Sequence, residues 1–122
     1  MSFFTYIMAS QRNGTLYAGS TEDLHQRYLQ HRAGDGSEFT GKYLVHHLVW
    51  FEIHDTRLGA FTRERRIKEW RRSWKVMLIE ALNPDWLDLG ERFADLSPFD
   101  LMLELKGSVK VYCLADLEPG AE

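Results

Sequence analysis

Apolar and polar positions alternate first over two short runs near the start of the chain. Phe3 to Met8 is rich in aromatic and branched residues, and Thr15 to Ala18 resumes the pattern after a polar gap. Between them Asn13-Gly14 is the dipeptide that accepts the two positive φ angles of a type I′ turn, so the segment predicts a β-hairpin. With Asn13 and Gly14 as the loop, Arg12 faces Thr15, Ser10 faces Tyr17 and Met8 faces Gly19. Tyr6 and Tyr17 then share a face but lie about 13 Å apart along a flat ladder. A bulge or strand coiling is needed to bring both hydroxyls to one ligand.

A helical period follows. Ser20 and Asp23 stand at capping-box spacing, and Leu24, Arg27, Tyr28 and His31 fall at i, i+3, i+4 and i+7, the core-facing stripe of a helix running to about Ala33. A guanidinium on that stripe costs several kcal/mol unless it is paired or faces a cleft. Either the stripe borders an anion site, or Arg27 snorkels past the core edge. A polar connection from Gly34 to Lys42 leads to the apolar run Leu48-Val49-Trp50-Phe51, the third strand. His46, His47 and His54 flank it without a donor set that completes a tetrahedral metal shell. A second helix is expected from Thr56 to about Trp70, with Ala60, Phe61, Ile67, Trp70 and Trp74 as its apolar side and Glu64 at the edge of that side. Glu64 is either an ordinary i, i+4 partner of Lys68 or a carboxylate aimed into a cleft to hold a hard cation. A shorter helix, Lys75 to Leu82, ends where Pro84 blocks propagation through Asn83. Farther on, Ser97-Pro98 starts a helix over Phe99 to Leu105, and Val109 to Leu114 alternates as a strand.

At 122 residues and 44% hydrophobic, the chain holds enough apolar material for one core, so a single domain with at most an appendage is expected. No run approaches the roughly 20 apolar residues of a membrane helix, and Met1-Ser2-Phe3-Phe4 lacks a basic leader, which predicts a soluble cytoplasmic protein with no membrane partner. The single cysteine, Cys113, reads as a small apolar residue. The formal charge of −3 speaks mildly against nucleic acid, but its distribution reverses that. Residues 1–92 carry +1 and residues 93–122 carry −4, while Arg57 to Lys75 holds eight basic side chains against Glu64 and Glu69. Such a cluster suits phosphate binding, although a solvated helix face with internal ion pairs has the same composition.

The order Tyr6, Tyr17-x-Gly19, Arg27, His31 and Glu64 resembles a GIY-YIG nuclease domain. The stretches Leu16-Tyr17-Ala18-Gly19-Ser20-Thr21, Ile67-Lys68-Glu69-Trp70-Arg71-Arg72 and Leu82-Asn83-Pro84-Asp85-Trp86 are similar to its small stand-alone bacterial branch. The likeness covers residues 3–92, and ten residues separate the two tyrosines. It implies an α/β (α+β) domain over 1–92, with a small three-stranded antiparallel sheet flanked by helices, and an acidic C-terminal extension over 93–122. It also implies one divalent ion, Mg²⁺ or Mn²⁺, held by Glu64, and hydrolysis of DNA phosphodiesters, with a structure-specific role in repair or recombination as one reading.

Within that frame Arg27 grips the scissile phosphate, and Tyr17 serves as base or water-orienting group with Tyr6 as its hydrogen-bonded helper. His31 orients the phosphate or shares the proton transfer. A phenol with an ordinary pKa of about 10 is a poor base at neutral pH unless cations stand near it. Arg63, Arg66, Lys68, Arg71, Arg72, Lys75 and Lys42 are the expected DNA contacts. The first motif, Phe4-Thr5-Tyr6, lacks the family's glycine, and the second reads Tyr17-Ala18-Gly19; both keep the tyrosine. The family's late asparagine aligns with Lys75 through Trp74-Lys75-Val76, and Asn83 is the nearest asparagine to carry that role. A non-catalytic DNA-binding module of the same fold stands as the rival. The acidic extension is either a peripheral element or dimer contact, or a brake folded over the basic cleft. Whether a recruiting protein supplies specificity is open.

Overall fold

A computed structural model describes residues 2–34 and 44–113. The apolar runs form strands β1 (Phe3–Ala9), β2 (Leu16–Thr21) and β3 (His47–His54), joined by α1 (Leu24–Arg32) and followed by α2 (Arg57–Glu69) and α3 (Arg72–Leu82). A 3-10 turn at Leu89–Ala94, helix α4 (Pro98–Lys106) and strand β4 (Val111–Tyr112) complete the described chain. Strand order is β2-β1-β3-β4. The β1–β2 and β1–β3 pairs are antiparallel, and β4 lies parallel to β3 through Ile53↔Val111 and His54↔Tyr112.

The expected three-stranded antiparallel sheet is thereby corrected to a four-stranded mixed one. The chain after residue 92 crosses back over the sheet through α4, and a parallel pair needs that kind of long crossover. The backbone N–H of Asp55 donates to the Tyr112 carbonyl at 3.0 Å and secures the new edge. Phe93, Leu101 and Met102 from this late segment join Tyr6, Phe51 and Ile79 in one hydrophobic cluster.

Side-chain alternation divides the helices between the two faces. Tyr6, Phe51 and Gly19 stand in one row of the sheet, and that face carries α1 and the 3-10 turn: the Tyr6 and His31 rings are 5.7 Å apart, and the Phe51 and Phe93 rings 6.1 Å. Thr5 has the opposite parity, and its hydroxyl donates to the Ala60 carbonyl of α2 at 2.8 Å. Helix ends follow their local chemistry. The Asp23 carboxylate caps α1 by accepting from Gln26 N, Thr56 caps α2 through Gly59 N, and Ser97 caps α4 with Pro98 at its start. Ser20 is not part of a cap; it belongs to β2.

The hairpin loop differs from the expected one. Gly14 N donates to Gln11 O at 2.9 Å and Ser10 N to Thr15 O at 3.0 Å, so the turn spans Gln11 to Gly14 and only Asn13 takes a positive non-glycine φ, +60°. The longer loop shifts the register by two residues, and Tyr6 faces Gly19 while Met8 faces Tyr17. A shift of two preserves the face, so the hydrophobic pattern alone cannot distinguish the two registers. Two aromatic residues assigned to the buried side of the second helix, Phe61 and Trp74, are exposed. Helix α2 stops at Trp70 and the chain turns, so Trp74 belongs to α3.

Candidate active site at the edge of the sheet

The corrected register brings the two tyrosines together. Tyr17 stands diagonally across from Tyr6, a separation aromatic rings can bridge, and their ring centroids are 6.5 Å apart. Gly19, opposite Tyr6, makes this possible: a β-carbon there would collide with the Tyr6 hydroxyl and ring. His31 completes a triangle, with its ring 5.7 Å from Tyr6 and 5.5 Å from Tyr17.

Charge and burial assign the protons. Tyr6 and His31 are both 0% exposed, and the Tyr6 hydroxyl lies 3.0 Å from His31 Nε2. Burial above all, with Tyr17 adding to it, raises the Tyr6 phenol well above its ordinary value, although the positive charge of Arg27 pulls the other way. Burial, then Arg27 and His46, pushes His31 down from 6.5 to about 4. With the imidazole neutral and the phenol still protonated at pH 7, a single hydrogen joins the Tyr6 hydroxyl to Nε2, its direction set by the imidazole tautomer. Burial thus keeps the Tyr6 proton in place. The same network explains the polar stripe of α1: the buried His31 is partnered, and the part-buried Arg27 lies against the tyrosine pair.

Glu64 enters from the other layer. Its Oε1 accepts from the Ser20 hydroxyl at 2.7 Å, and its Oε2 lies 2.7 Å from Lys68 Nζ. Lys68 Nζ also stands 5.6 Å from the Tyr17 ring centroid. The edge strand β2 therefore gathers Tyr17 and Ser20 between α1 on one face and α2 on the other. Tyr6, Tyr17, Arg27, His31 and Glu64, expected as a set, are linked through direct contacts or the electrostatic influence of Arg27 and Glu64 on Tyr6. Ser20 was missed because its position beside Asp23 reads as a cap; the signal for its role was its parity with Ala18 on the side facing α2.

Asn83 has other work. Its amide N–H groups donate to the Val49 carbonyl at 3.1 Å and the Leu87 carbonyl at 2.8 Å, and its oxygen accepts from Leu87 N at 3.0 Å. Both donors are consumed in closing a loop onto β3, which leaves none for a ligand.

The basic run divides in a similar way. Arg63 is mostly buried, with Nε donating to the Glu52 carboxylate at 2.9 Å and its guanidinium over Trp70, so it serves the interior. Glu52 also holds His54 Nε2 at 2.9 Å, which accounts for one of the flanking histidines. Arg66 is part-buried, and Arg71 is exposed over the Trp74 ring at 5.0 Å. Arg72 donates to the Gly14 carbonyl at 2.7 Å and ties the hairpin turn to α3. Burial first, then Arg72 and Lys68, lowers the pKa of Lys75, which lines a cavity of about 260 Å³ together with Tyr17 and Lys68. Lys42 lies outside the described residues. Lys68 and Lys75 border the Tyr17 cavity, and Arg72 stands at the hairpin turn of the same sheet edge.

Among the described residues no three His, Cys, Asp or Glu side chains gather as a metal cage. A lone carboxylate with water as the remaining donors suits Mg²⁺ or Mn²⁺ and is a poor zinc site. Glu64 fits that description, although both its oxygens are already engaged. Nor is any described helix long and apolar enough to cross a membrane.

An α+β domain that gathers tyrosine, arginine, histidine and glutamate at one sheet edge has the architecture of a small nuclease domain. The GIY-YIG catalytic domain family model matches residues 2–77, and the chain belongs to the GIY-YIG family, whose members are generally nucleases and typically need a divalent metal. It is similar to a UPF0213 protein of Haloquadratum walsbyi, 41% identical over 66 residues that make up 54% of this chain and 74% of that one. A UPF0213 protein of Staphylococcus aureus is 35% identical over 79 residues, 65% of this chain and 95% of its own length. The solution NMR structure of a UPF0213 protein from Bacillus halodurans aligns at 24% identity with a TM-score of 0.46, over 72% of this chain and 93% of that one.

Proposed function

We propose that the chain is a divalent-metal-dependent DNA endonuclease that hydrolyses phosphodiester bonds at the β2 edge. The observation that supports this reading is that β2 carries Tyr17 against the buried Tyr6–His31 pair on one face and, through Ser20, the Glu64 carboxylate on the other. Glu64 would hold Mg²⁺ or Mn²⁺, which would supply positive charge to the phosphate oxygens and acidify water. Arg27 binds the scissile phosphate with a planar, permanently charged group. Tyr17, half-buried at the edge, contacts the attacking water and orients it or takes its proton. Tyr6 and His31, closed off from solvent, fix Tyr17 and Arg27 in place. Lys68, Arg72 and Lys75 bind flanking phosphates.

So small a basic surface favours DNA distinguished by its structure, such as branched or flapped repair and recombination intermediates, over a long sequence. The site of action is the cytoplasm, where prokaryotic DNA lies. Nicking of supercoiled and branched DNA with Mg²⁺ or Mn²⁺ tests the reading. Glu64→Ala and Arg27→Ala are each expected to abolish cleavage, and Glu64→Ala to leave DNA binding intact. Wild-type protein that binds these DNAs and cuts none of them with either metal would identify a non-catalytic binding module instead.

A further inference from the structure

Glu64 and Lys68 lie on one face of α2 at i, i+4, and their contact looks at first like ordinary helix-surface pairing. Three features set it apart. Glu64 is only 12% exposed at its side chain, so its charge is poorly hydrated and needs a counter-charge. The Ser20 hydroxyl donates to Oε1, and the Lys68 ammonium sits on Oε2 at 2.7 Å, so a cation approaching Oε2 meets an ammonium already there. Lys68 itself is 48% exposed at its side chain and so has freedom to leave.

We propose that Lys68 is the resident counter-ion of the metal position: it neutralises Glu64 in the metal-free protein and must be displaced from Oε2 before a divalent cation binds. The inference rests on the nuclease reading only in taking Glu64 as the metal ligand. Displacement has a defined destination. The cavity of about 260 Å³ beside the site is bordered by Tyr17, Lys75 and Lys68 itself over an apolar floor of Ile7, Leu16 and Ile67. A lysine released from Glu64 stands at the mouth of that cavity, next to the Tyr17 ring it already approaches at 5.6 Å. There its charge faces incoming phosphate. Lys68 is therefore a positioning residue. It makes metal binding by the free protein weak, because the cation must break an ion pair and then endure a nearby ammonium.

The test is Mn²⁺ binding to the DNA-free protein, followed by electron paramagnetic resonance of free Mn²⁺ and by calorimetry. Lys68→Met keeps the stem and deletes the charge, and it is expected to bind Mn²⁺ about tenfold more tightly than wild type. Lys68→Arg retains a cation and is expected to stay within about threefold of wild type. Glu64→Ala in the Lys68→Met background removes the gain and shows that the added affinity belongs to this carboxylate. Lys68→Met within twofold of wild type, or weaker, overturns the proposal; far-ultraviolet circular dichroism establishes that each variant is folded. Failure of the two readings is distinguishable. Tighter Mn²⁺ binding by Lys68→Met in a protein that cuts no DNA retains the counter-ion and rejects the nuclease, whereas metal-dependent cleavage with unchanged Mn²⁺ affinity does the reverse.

Discussion

Acidification should weaken this protein through His31 before the carboxylates respond fully. In the folded chain burial, Arg27 and His46 hold the imidazole down at about 4, against 6.5 when it is free. The unfolded chain therefore takes up a proton as pH falls through 6.5, and the folded chain does so only near 4. Stability contributed by the neutral ring is fully present above pH 6.5, is lost progressively as pH falls toward 4, and changes no further below that. At 1.36 kcal/mol per pKa unit, the full difference corresponds to about 3 kcal/mol as an upper bound. That is a large share of a typical domain's stability of about 5–15 kcal/mol.

Urea unfolding at pH 7.5, 6.5, 5.5 and 4.5 measures the loss, and His31→Gln isolates it. Glutamine cannot titrate yet offers an acceptor near the position of Nε2, so the variant should lose less stability than wild type between pH 6.5 and 4.5, by about 2 kcal/mol. Nuclear magnetic resonance of the ring protons gives the direct measurement, with His31 expected to remain neutral down to about pH 5. Equal pH slopes for the two proteins, or a His31 midpoint near 6.5, would refute the proton assignment.

Two further substitutions probe the same architecture. Gly19→Ala drives a methyl into the Tyr6 hydroxyl and should cost about 1–3 kcal/mol by overpacking, read as a lower urea midpoint, together with reduced cleavage as Tyr6 is pushed off His31. Asn83→Ala deletes three hydrogen bonds of a buried clamp and should cost about 2–4 kcal/mol, while the specific activity of the folded protein at low temperature stays unchanged. A large drop in its activity without loss of stability would return Asn83 to the reaction.

Much of the fold was legible because each element carries a local cause. Asp23 and Thr56 announce helix starts, Pro84 ends α3, and the aromatic and branched runs mark β1 and β3. The hairpin register was not legible. Asn13-Gly14 favours a two-residue loop locally, but Ser10 and Gln11 bond across to Thr15 and Gly14 and close a longer one. The late strand was legible from its alternation, but its place in the sheet was not: Val111 and Tyr112 pair with Ile53 and His54, far earlier in the chain, and nothing in their own alternation specifies a parallel partner. The basic run misled in part because composition counts charge without location. Arg63 looks like its neighbours in sequence but is spent on Glu52, inside the protein.

The two tyrosines, adjacent in the sheet and chemically alike, take opposite roles because they occupy different depths. Tyr6 lies on the central strand β1 with both neighbouring strands paired, its hydroxyl 3.0 Å from His31 Nε2, and burial keeps it protonated. Tyr17 lies on the edge strand β2, where no further strand covers it, and its ring is approached from one layer by His31 and from the other by Lys68. A reacting phosphate can reach an edge and cannot reach the centre of a sheet. Among the described residues β2 is thus an outer strand of the order β2-β1-β3-β4, and β4 lies at the opposite flank of the sheet. Among the described residues, the polar members of these stripes lie toward the outer strand β2, where Tyr17 meets His31 and Ser20 meets Glu64.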